Sequence, residues 1–230
     1  MSVCVLPARG GSKRIPRKNV LDFHGLPMIA WSIRAALESE VFSRVVVSTD
    51  DPEISGIAVE YGAEVPFKRP ADLAGDFAGT VPVIAHAVEE LVLSSDETVC
   101  CLYATAPFVK PEDLRRGHGE FLSAPECDYA FSVTTFAFPI QRALRVRPDG
   151  RMEPIFPEHE LARSQDLEEA WHDAGQFYFG QAKTWLEQRP IFSSNPLPIA
   201  LPRHRVQDID TPEDWLRAEL LFTQLGENGS

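Results

Sequence analysis

Two hydrophobic rhythms alternate along this chain, and the switches between them predict its elements. Residues 3–7 (V-C-V-L-P), 44–48 (R-V-V-V-S), 98–103 (T-V-C-C-L-Y) and 129–133 (Y-A-F-S-V) are short, nearly continuous apolar runs. Runs of that length, rich in β-branched residues, suit strands covered on both faces. Helical spacing fills the gaps over residues 27–37, 53–61 and 80–93, with Thr80 placed to cap the last of these. Thr49-Asp50-Asp51-Pro52 and Lys110-Pro111-Glu112-Asp113 both read as helix starts with proline in the first turn. A short strand is expected at 64–67. The alternation predicts an α/β fold, a Rossmann-like, doubly wound and mostly parallel sheet.

The rhythm breaks at residues 134–172, where prolines and exposed-looking aromatics interrupt any period. Residues 142–146 and 151–155 flank Asp149-Gly150 and read as a β-hairpin. Such an excursion from an α/β core predicts a lid or a subunit contact. Residues 175–180 (G-Q-F-Y-F-G) return as a strand. Thr211-Pro212-Glu213-Asp214 starts a last helix with a capping pair. The final six residues are expected to fray. The 230 residues fit a single domain, 1–230, with 134–172 inserted within it.

Charge changes the picture in one place. The chain has 22 basic and 34 acidic residues, a net charge of −12, which disfavours nucleic acid or an anionic membrane as partner. Yet Arg9, Lys13, Arg14, Arg17 and Lys18 crowd one short stretch directly behind the first strand. No apolar stretch is long enough to span a bilayer, and the leading one stops at Leu6, so a cytoplasmic protein is expected. Cys4, Cys100, Cys101 and Cys127 lack metal-type spacing and read as buried, reduced thiols.

The stretch Arg9-Gly10-Gly11-Ser12-Lys13-Arg14-Ile15-Pro16-Arg17-Lys18-Asn19 is a glycine-rich cationic loop after a buried strand. Glycines there would let backbone N–H groups approach an anion and adopt positive φ. Its spacing matches neither the ATPase P-loop nor the dinucleotide fingerprint. It resembles the nucleotide-binding signature of sugar-activating nucleotidyltransferases, most closely the CMP-sialic acid synthetase family, and the likeness runs from residue 3 to about 215. That resemblance implies the nucleotide-diphospho-sugar transferase type of fold, with the hairpin packing against a second subunit of a homodimer. It also implies that Arg9, Ser12, Lys18 and Asn19 hold the phosphates of CTP, with Gly10 and Gly11 donating amides and Lys18 and Arg9 acting on the transferring group.

Three further segments fit the same reading. Residues 69–80 resemble the family's R-P-x-x-L-A-x-D stretch, ending here at Asp76, which makes Arg69, Ala78 and Thr80 the base pocket; alone, the segment is only a loop before a helix. Asp208 and Asp210, two apart on an extended segment, point the same way and can share a hard cation. The D-I-D-T match implies magnesium, with manganese as a substitute, although Asp210 could also simply precede the Thr211 cap. In the sugar region, Arg163 keeps a family arginine, while His172 replaces the second and Tyr103 replaces a glutamine. His172 alone would read as a structural histidine.

The strings R-S-Q-D-L, A-W-H-D-A-G-Q-F-Y and Y-A-T-A-P look like those of the pseudaminic acid cytidylyltransferases. Tyr103, Arg163, Gln165, His172, Gln176 and Tyr178 are therefore the expected sugar contacts. The implied reaction joins CTP to the anomeric hydroxyl of a nonulosonic acid, giving a CMP-sugar and pyrophosphate. CMP-N-acetylneuraminate and CMP-legionaminate synthesis are the sister alternatives. A metal-dependent glycosyltransferase with an Asp-x-Asp site and a non-catalytic CTP sensor are more distant ones. Gln141 or Arg142 is a candidate to reach a neighbour's site.

Overall fold

β1 (Ser2–Pro7) is buried along its length except at its two ends and leads into the basic loop. The two-residue strands β2 (Asp22–Phe23) and β3 (Leu26–Pro27) then pair and feed α1 (Met28–Ser39), β4 (Arg44–Ser48) and α2 (Pro52–Glu60). After the loop at 61–79 come α3 (Thr80–Glu90), β5 (Thr98–Leu102), α4 (Pro111–Leu122) and β6 (Tyr129–Thr135). The hairpin strands β7 (Leu144–Val146) and β8 (Met152–Pro154) follow. Then come β9 (Trp171–Gln181), α5 (Ala182–Leu186), β10 (Leu197–Ala200) and α6 (Pro212–Glu227). This computed structural model describes residues 1–75, 77–192 and 195–227.

Six strands form one sheet in the order β10-β6-β9-β5-β1-β4. Every pairing is parallel except those of β9, which runs antiparallel to both β5 and β6. Each strand alternates its side chains between two cores. Cys4, Leu6, Val45, Val47, Cys100, Leu102, Phe177 and Phe179 face α1, α2 and α4. Val3, Val5, Val46, Val99, Cys101, Tyr129 and Tyr178 face α3 and α5. Both faces are thus covered, which is why the strand sequences read as unbroken apolar runs. A third cluster, around Phe23, Met28 and Phe108, seats α6. All four cysteines are buried and free.

The crossovers decide where a ligand can enter. β1 connects outward to β4, whereas β5 connects through α4 to β6 on the other side. The carboxyl ends of neighbouring β1 and β5 therefore open onto a crevice, the usual ligand position in such sheets.

Several elements differ from the sequence expectation. The stretch 64–67 makes only a single bridge, Glu64 to Val46. The cap position of α3 is Gly79, with no side-chain cap, and Thr80 lies inside the helix with its hydroxyl on Tyr103. β9 begins four residues before 175, because an irregularity lets it pair twice with β6. Phe131 faces Tyr178, then Val133 faces Asp173, and the Ser132 hydroxyl takes the amides of Gln176 and Phe177 left over between them. The hairpin strands are three residues each, shorter than read, with Gly150 at φ 81° in the turn. The Thr211–Asp214 cap forms, its hydroxyl donating to Asp214 Oδ2 at 2.7 Å. Residues 225–227 are helical rather than frayed, while 228–230 and Asp76 lie outside the described residues.

Glycine spacing in the core makes a direct test. A Cβ on Gly180 would stand 2.9 Å from the Trp185 indole nitrogen and from the Tyr129 ring, both fully buried. Gly180→Ala should cost about 1–3 kcal/mol by overpacking. Gly119→Ala, on the exposed side of α4 with nothing within 4 Å, should leave stability unchanged or raise it. Equal melting temperatures for the two variants would contradict this packing.

Candidate active site

The basic loop is held from behind by carboxylates. Gly10 donates its amide to Asp50 Oδ1 at 3.0 Å, and a Cβ there would lie 2.6 Å from Asp51 Oδ2. Gly10 is needed for close approach to Asp51; it has no positive φ, and its amide is already engaged. Gly11 has open space around its Cα, is exposed and likewise avoids positive φ. Arg17 sits in the left-handed region at φ 60° and bridges Asp51 and Glu53. Asp51 also caps α2, accepting from Glu53 and Ile54 amides at 2.9 and 3.0 Å. The Arg17 hydrogen bond first, and those amides next, hold its carboxyl below the usual range.

From this support the loop reaches forward to the C-terminal segment. Lys18 Nζ donates to the Ile209 carbonyl and lies 3.4 Å from Asp210 Oδ1, while Arg14 lies 2.8 Å from Asp210 Oδ2. Asn19 Nδ2 donates to the Arg9 carbonyl at 3.0 Å. Together these segments enclose a cleft of about 570 Å³ at the ends of β1 and β5. Arg9, Ser12, Lys18, Asn19, Arg69, Ala78, Thr80, Tyr103 and Asp210 all line it. Arg69 is buried, its guanidinium donating to the Ser48 hydroxyl and carbonyl. Desolvation lowers its pKa to about 10, Asp50 opposes and Arg9 adds to the drop, so it stays cationic at neutral pH.

Tyr103 forms the far wall and opens onto two more spaces. A cleft of about 490 Å³ adjoins it, lined by His172, Asp173, Gly175 and Asp208. Another, of about 340 Å³, lies between Thr80, Tyr178, Ile191 and Phe192. Burial raises the Tyr103 phenol to about 12 and pushes Tyr178 further still, so both stay protonated. His172 is fixed by its Nδ1 against the Asp173 carbonyl at 2.8 Å.

Three expected sugar contacts are not brought into these clefts. Gln176 is buried in the core, its amide nitrogen 2.7 Å from the Arg205 carbonyl, because its backbone pairs with Tyr103 in the sheet. Arg163 is exposed and paired to Asp166 at 2.7 and 3.1 Å. Gln165 is exposed on the same short turn. Gln141 and Arg142 both donate within their own chain, to the carbonyls of Glu168 and Ala162.

A model of the cytidylyltransferase family matches residues 3–213. The chain belongs to the cytidylyltransferases. It is 44% identical to a pseudaminic acid cytidylyltransferase of Campylobacter jejuni, over 96% of each chain. It is 33% identical to a CMP-N,N′-diacetyllegionaminic acid synthase of Legionella pneumophila, over 96% of this chain and 95% of that one. Among solved structures, a CMP:2-keto-3-deoxy-manno-octonic acid synthetase complexed with CTP aligns at TM-score 0.70 and 20% identity, covering 97% and 98% of the two chains. That likeness supports the Rossmann-like nucleotidyltransferase fold.

The two aspartates of this cytidylyltransferase straddle the boundary between clefts. Asp210 lines the cleft beside the basic loop and Asp208 the Tyr103–His172 side, with buried Ile209 between them turned inward. Although Asp208 as a residue is exposed, the protein around its carboxyl, and next the charge of Asp210, raise its pKa, while Lys18 opposes. Two adjacent carboxylates under mutual repulsion fit a hard divalent cation that takes its other ligands from phosphate and water. Among the described residues no group of three or more acidic, histidine or cysteine side chains could hold a metal ion by itself.

Asp50, Asp51, the Ile209 carbonyl and Asp173 were not singled out from sequence. Asp51 carried a signal, a cap before Pro52, but its meeting with Gly10 is long-range. Asp173 stood just before the strand read at 175–180, where no local pattern marked it.

The glycine pair separates two roles. Gly10→Ala should weaken CTP binding by about tenfold or more, because displacing Asp51 releases Arg17 and shifts the loop. Gly11→Ala, facing open space, should change it by less than about threefold. Titration calorimetry decides this, and equal losses would refute the close-approach argument.

Proposed function

We propose that this cytidylyltransferase joins CTP to the anomeric hydroxyl of pseudaminic acid, releasing pyrophosphate. The likeness over 96% of its length to a relative of that activity carries the sugar assignment. The gathering of Tyr103, His172 and Asp208 around one cleft beside the nucleotide cleft supports it. CMP-legionaminate synthesis is the second reading, favoured by the Legionella relative.

In this reading Arg9, Ser12, Lys18 and Asn19 bind the triphosphate. Lys18 and Arg9 stabilise charge that grows on the departing β- and γ-phosphates as the sugar hydroxyl attacks in line at the α-phosphorus. Arg69, Ala78 and Thr80 enclose the nucleoside. Tyr103, His172 and Tyr178 shape the sugar side, and Tyr103 as a neutral phenol separates the two substrates without adding charge. Asp208 and Asp210 would hold magnesium, or manganese in its place, which when bound supplies Lewis-acid polarisation of the α-phosphate and a lowered pKa for the attacking hydroxyl. The Ile209 carbonyl keeps Lys18 beside these aspartates, so both sides of the reacting group are positioned by one segment.

We further propose a cytoplasmic homodimer with residues 1–230 as one domain. Among the described residues no helix is long and apolar enough to cross a membrane. The excursion at 134–172 exposes Phe138, Leu144, Val146, Met152 and Leu161, an apolar surface that suits a second copy.

Magnesium-dependent pyrophosphate release should be measured with pseudaminic, N-acetylneuraminic, legionaminic and 2-keto-3-deoxy-octonic acids in parallel. Pseudaminate is expected to give the highest kcat/KM; silence with all four acids would sink the reaction. Asp208→Asn, Asp210→Asn and Lys18→Ala should each lower kcat by about 10²–10³-fold with little change in melting temperature. Near-normal turnover of the aspartate variants at saturating magnesium would remove the metal role. Light scattering should return twice the mass of 25.6 kDa, and a monomer would refute the dimer.

A further inference from the structure

The segment that carries Asp208 and Asp210 is held by a bracket of hydrogen bonds that uses neither of their carboxylates. Gln207 Nε2 donates to the Asp208 carbonyl at 2.7 Å and to Asp214 Oδ1 at 3.4 Å. The other Asp214 oxygen, Oδ2, accepts the Asp210 amide at 3.2 Å, the Thr211 amide at 2.8 Å and the Thr211 hydroxyl at 2.7 Å. Thr211 Oγ1 accepts the Asp214 amide at 3.2 Å in return. Between these points the Ile209 side chain is buried and its carbonyl takes Lys18. The main chain is thus gripped at Asp208, Ile209, Asp210 and Thr211 in succession.

Part of this is an ordinary helix start. A capping box needs only the exchange between Thr211 and Asp214 at the head of α6. The bonds to the Asp210 amide and from Gln207 lie outside it, and they reach upstream into the aspartate segment. The Gln207 carboxamide has one orientation here. A carbonyl and a carboxylate are both acceptors, so only its NH2 group can meet them. Both Asp214 oxygens are taken by donors of the bracket. Its charge is therefore spent on fixing main chain.

We propose that Gln207 and Asp214 are positioning residues for the cation site, holding the Asp208 and Asp210 carboxylates in register for a divalent cation that arrives with the nucleotide. The inference rests on the reading of those two aspartates as metal ligands, and it adds the residues that order them. A cation gains little from two carboxylates on a loose segment, because the cost of ordering the segment is subtracted from binding. The bracket meets that cost before the cation is bound. Residues that orient ligands without touching the metal act on its affinity in this way.

The test compares, by calorimetry, the dissociation constant of CTP with and without manganese, no sugar acid being present. The ratio of the two constants reads the contribution of the metal, and no turnover enters it. Asp210→Asn gives the ratio without the site. In Gln207→Ala and Asp214→Asn the wild-type ratio should move about tenfold toward that value, while metal-free CTP binding stays within about threefold of wild type. Alanine at 207 removes the bracket without changing charge. Asparagine at 214 has one oxygen and one NH2, so it loses either Gln207 or the Asp210 and Thr211 amides. Should Asp214→Asn fail to fold, Gln207→Ala decides alone, since its side chain is half-buried and serves only this bracket. Thr211→Val removes the cap hydroxyl and leaves the Gln207 and Asp210 bonds, so it should lower the melting temperature and keep the ratio. A wild-type ratio in the bracket variants, equal weakening of CTP with and without manganese, or an equal loss in Thr211→Val would overturn the inference. A wild-type ratio no different from that of Asp210→Asn would instead remove the metal reading, and the inference with it.

Discussion

Lys18 meets the main-chain carbonyl of Ile209 across 191 residues of sequence, and the functional half of the molecule is organised around that contact. An ammonium group that is mostly shielded needs acceptors, and here it finds a carbonyl and the Asp210 carboxylate. The contact fixes the end of the basic loop against the segment that carries both aspartates. It also explains why the N-terminal and C-terminal parts must fold together before the cleft exists. β1 supplies the direction of the loop, α6 is seated through Phe23 and Met28, and its Thr211–Asp214 cap ends the aspartate segment at a defined point. The ion pair between part-buried Arg205 and buried Asp113 holds the other end of that segment to the start of α4.

Much of this frame was legible in the sequence because it depends on local patterns. Strands covered on both faces announce themselves as apolar runs, and Pro52, Pro111 and Pro212 mark helix starts by removing an amide that would be orphaned anyway. What was not legible depends on pairing. The start of β9 was missed because His172 and Asp173 break the apolar pattern, and they join the strand only by a second register on β6 made possible at Ser132. The stretch 64–67 looks like a strand in composition but has just one bridge to β4, which otherwise marks the sheet edge.

Gly10 shows how a position can demand glycine for a reason its local sequence does not carry. Its position in a phosphate-type loop suggested a free amide at positive φ. The structure instead requires glycine there because Asp51 stands where a Cβ would be, and its amide is satisfied by Asp50. Cationic side chains converge on the cleft from several segments, with Asp50 and Asp51 behind the loop holding its shape. This suits a strongly acidic chain, in which a cationic loop is ordered by local carboxylates. Arg17 takes that structural role with Asp51 and Glu53, and Arg14 and Lys18 turn to the opposite wall.

Strand direction accounts for the position of the excursion at 134–172. In a sheet whose other five strands run one way, the substrate crevice lies at their carboxyl ends. β9 alone runs the other way, so its beginning lies at that same edge. β6 ends there at Thr135 opposite Trp171, where β9 begins, and the Phe136 amide on the Ala170 carbonyl at 3.0 Å closes the two together. Any segment connecting those two points must leave and return beside the cleft. The antiparallel strand thereby does two things a parallel one could not. It delivers His172 and Asp173 to the rim of the cleft and carries Tyr178 on into the core beside Tyr103, and the excursion starts and ends at the same edge. A change in the length or sequence of the excursion is thus transmitted first to the cleft between Tyr103, His172 and Asp208, through Trp171 and His172, while the basic loop on β1, two strands away, is left in place.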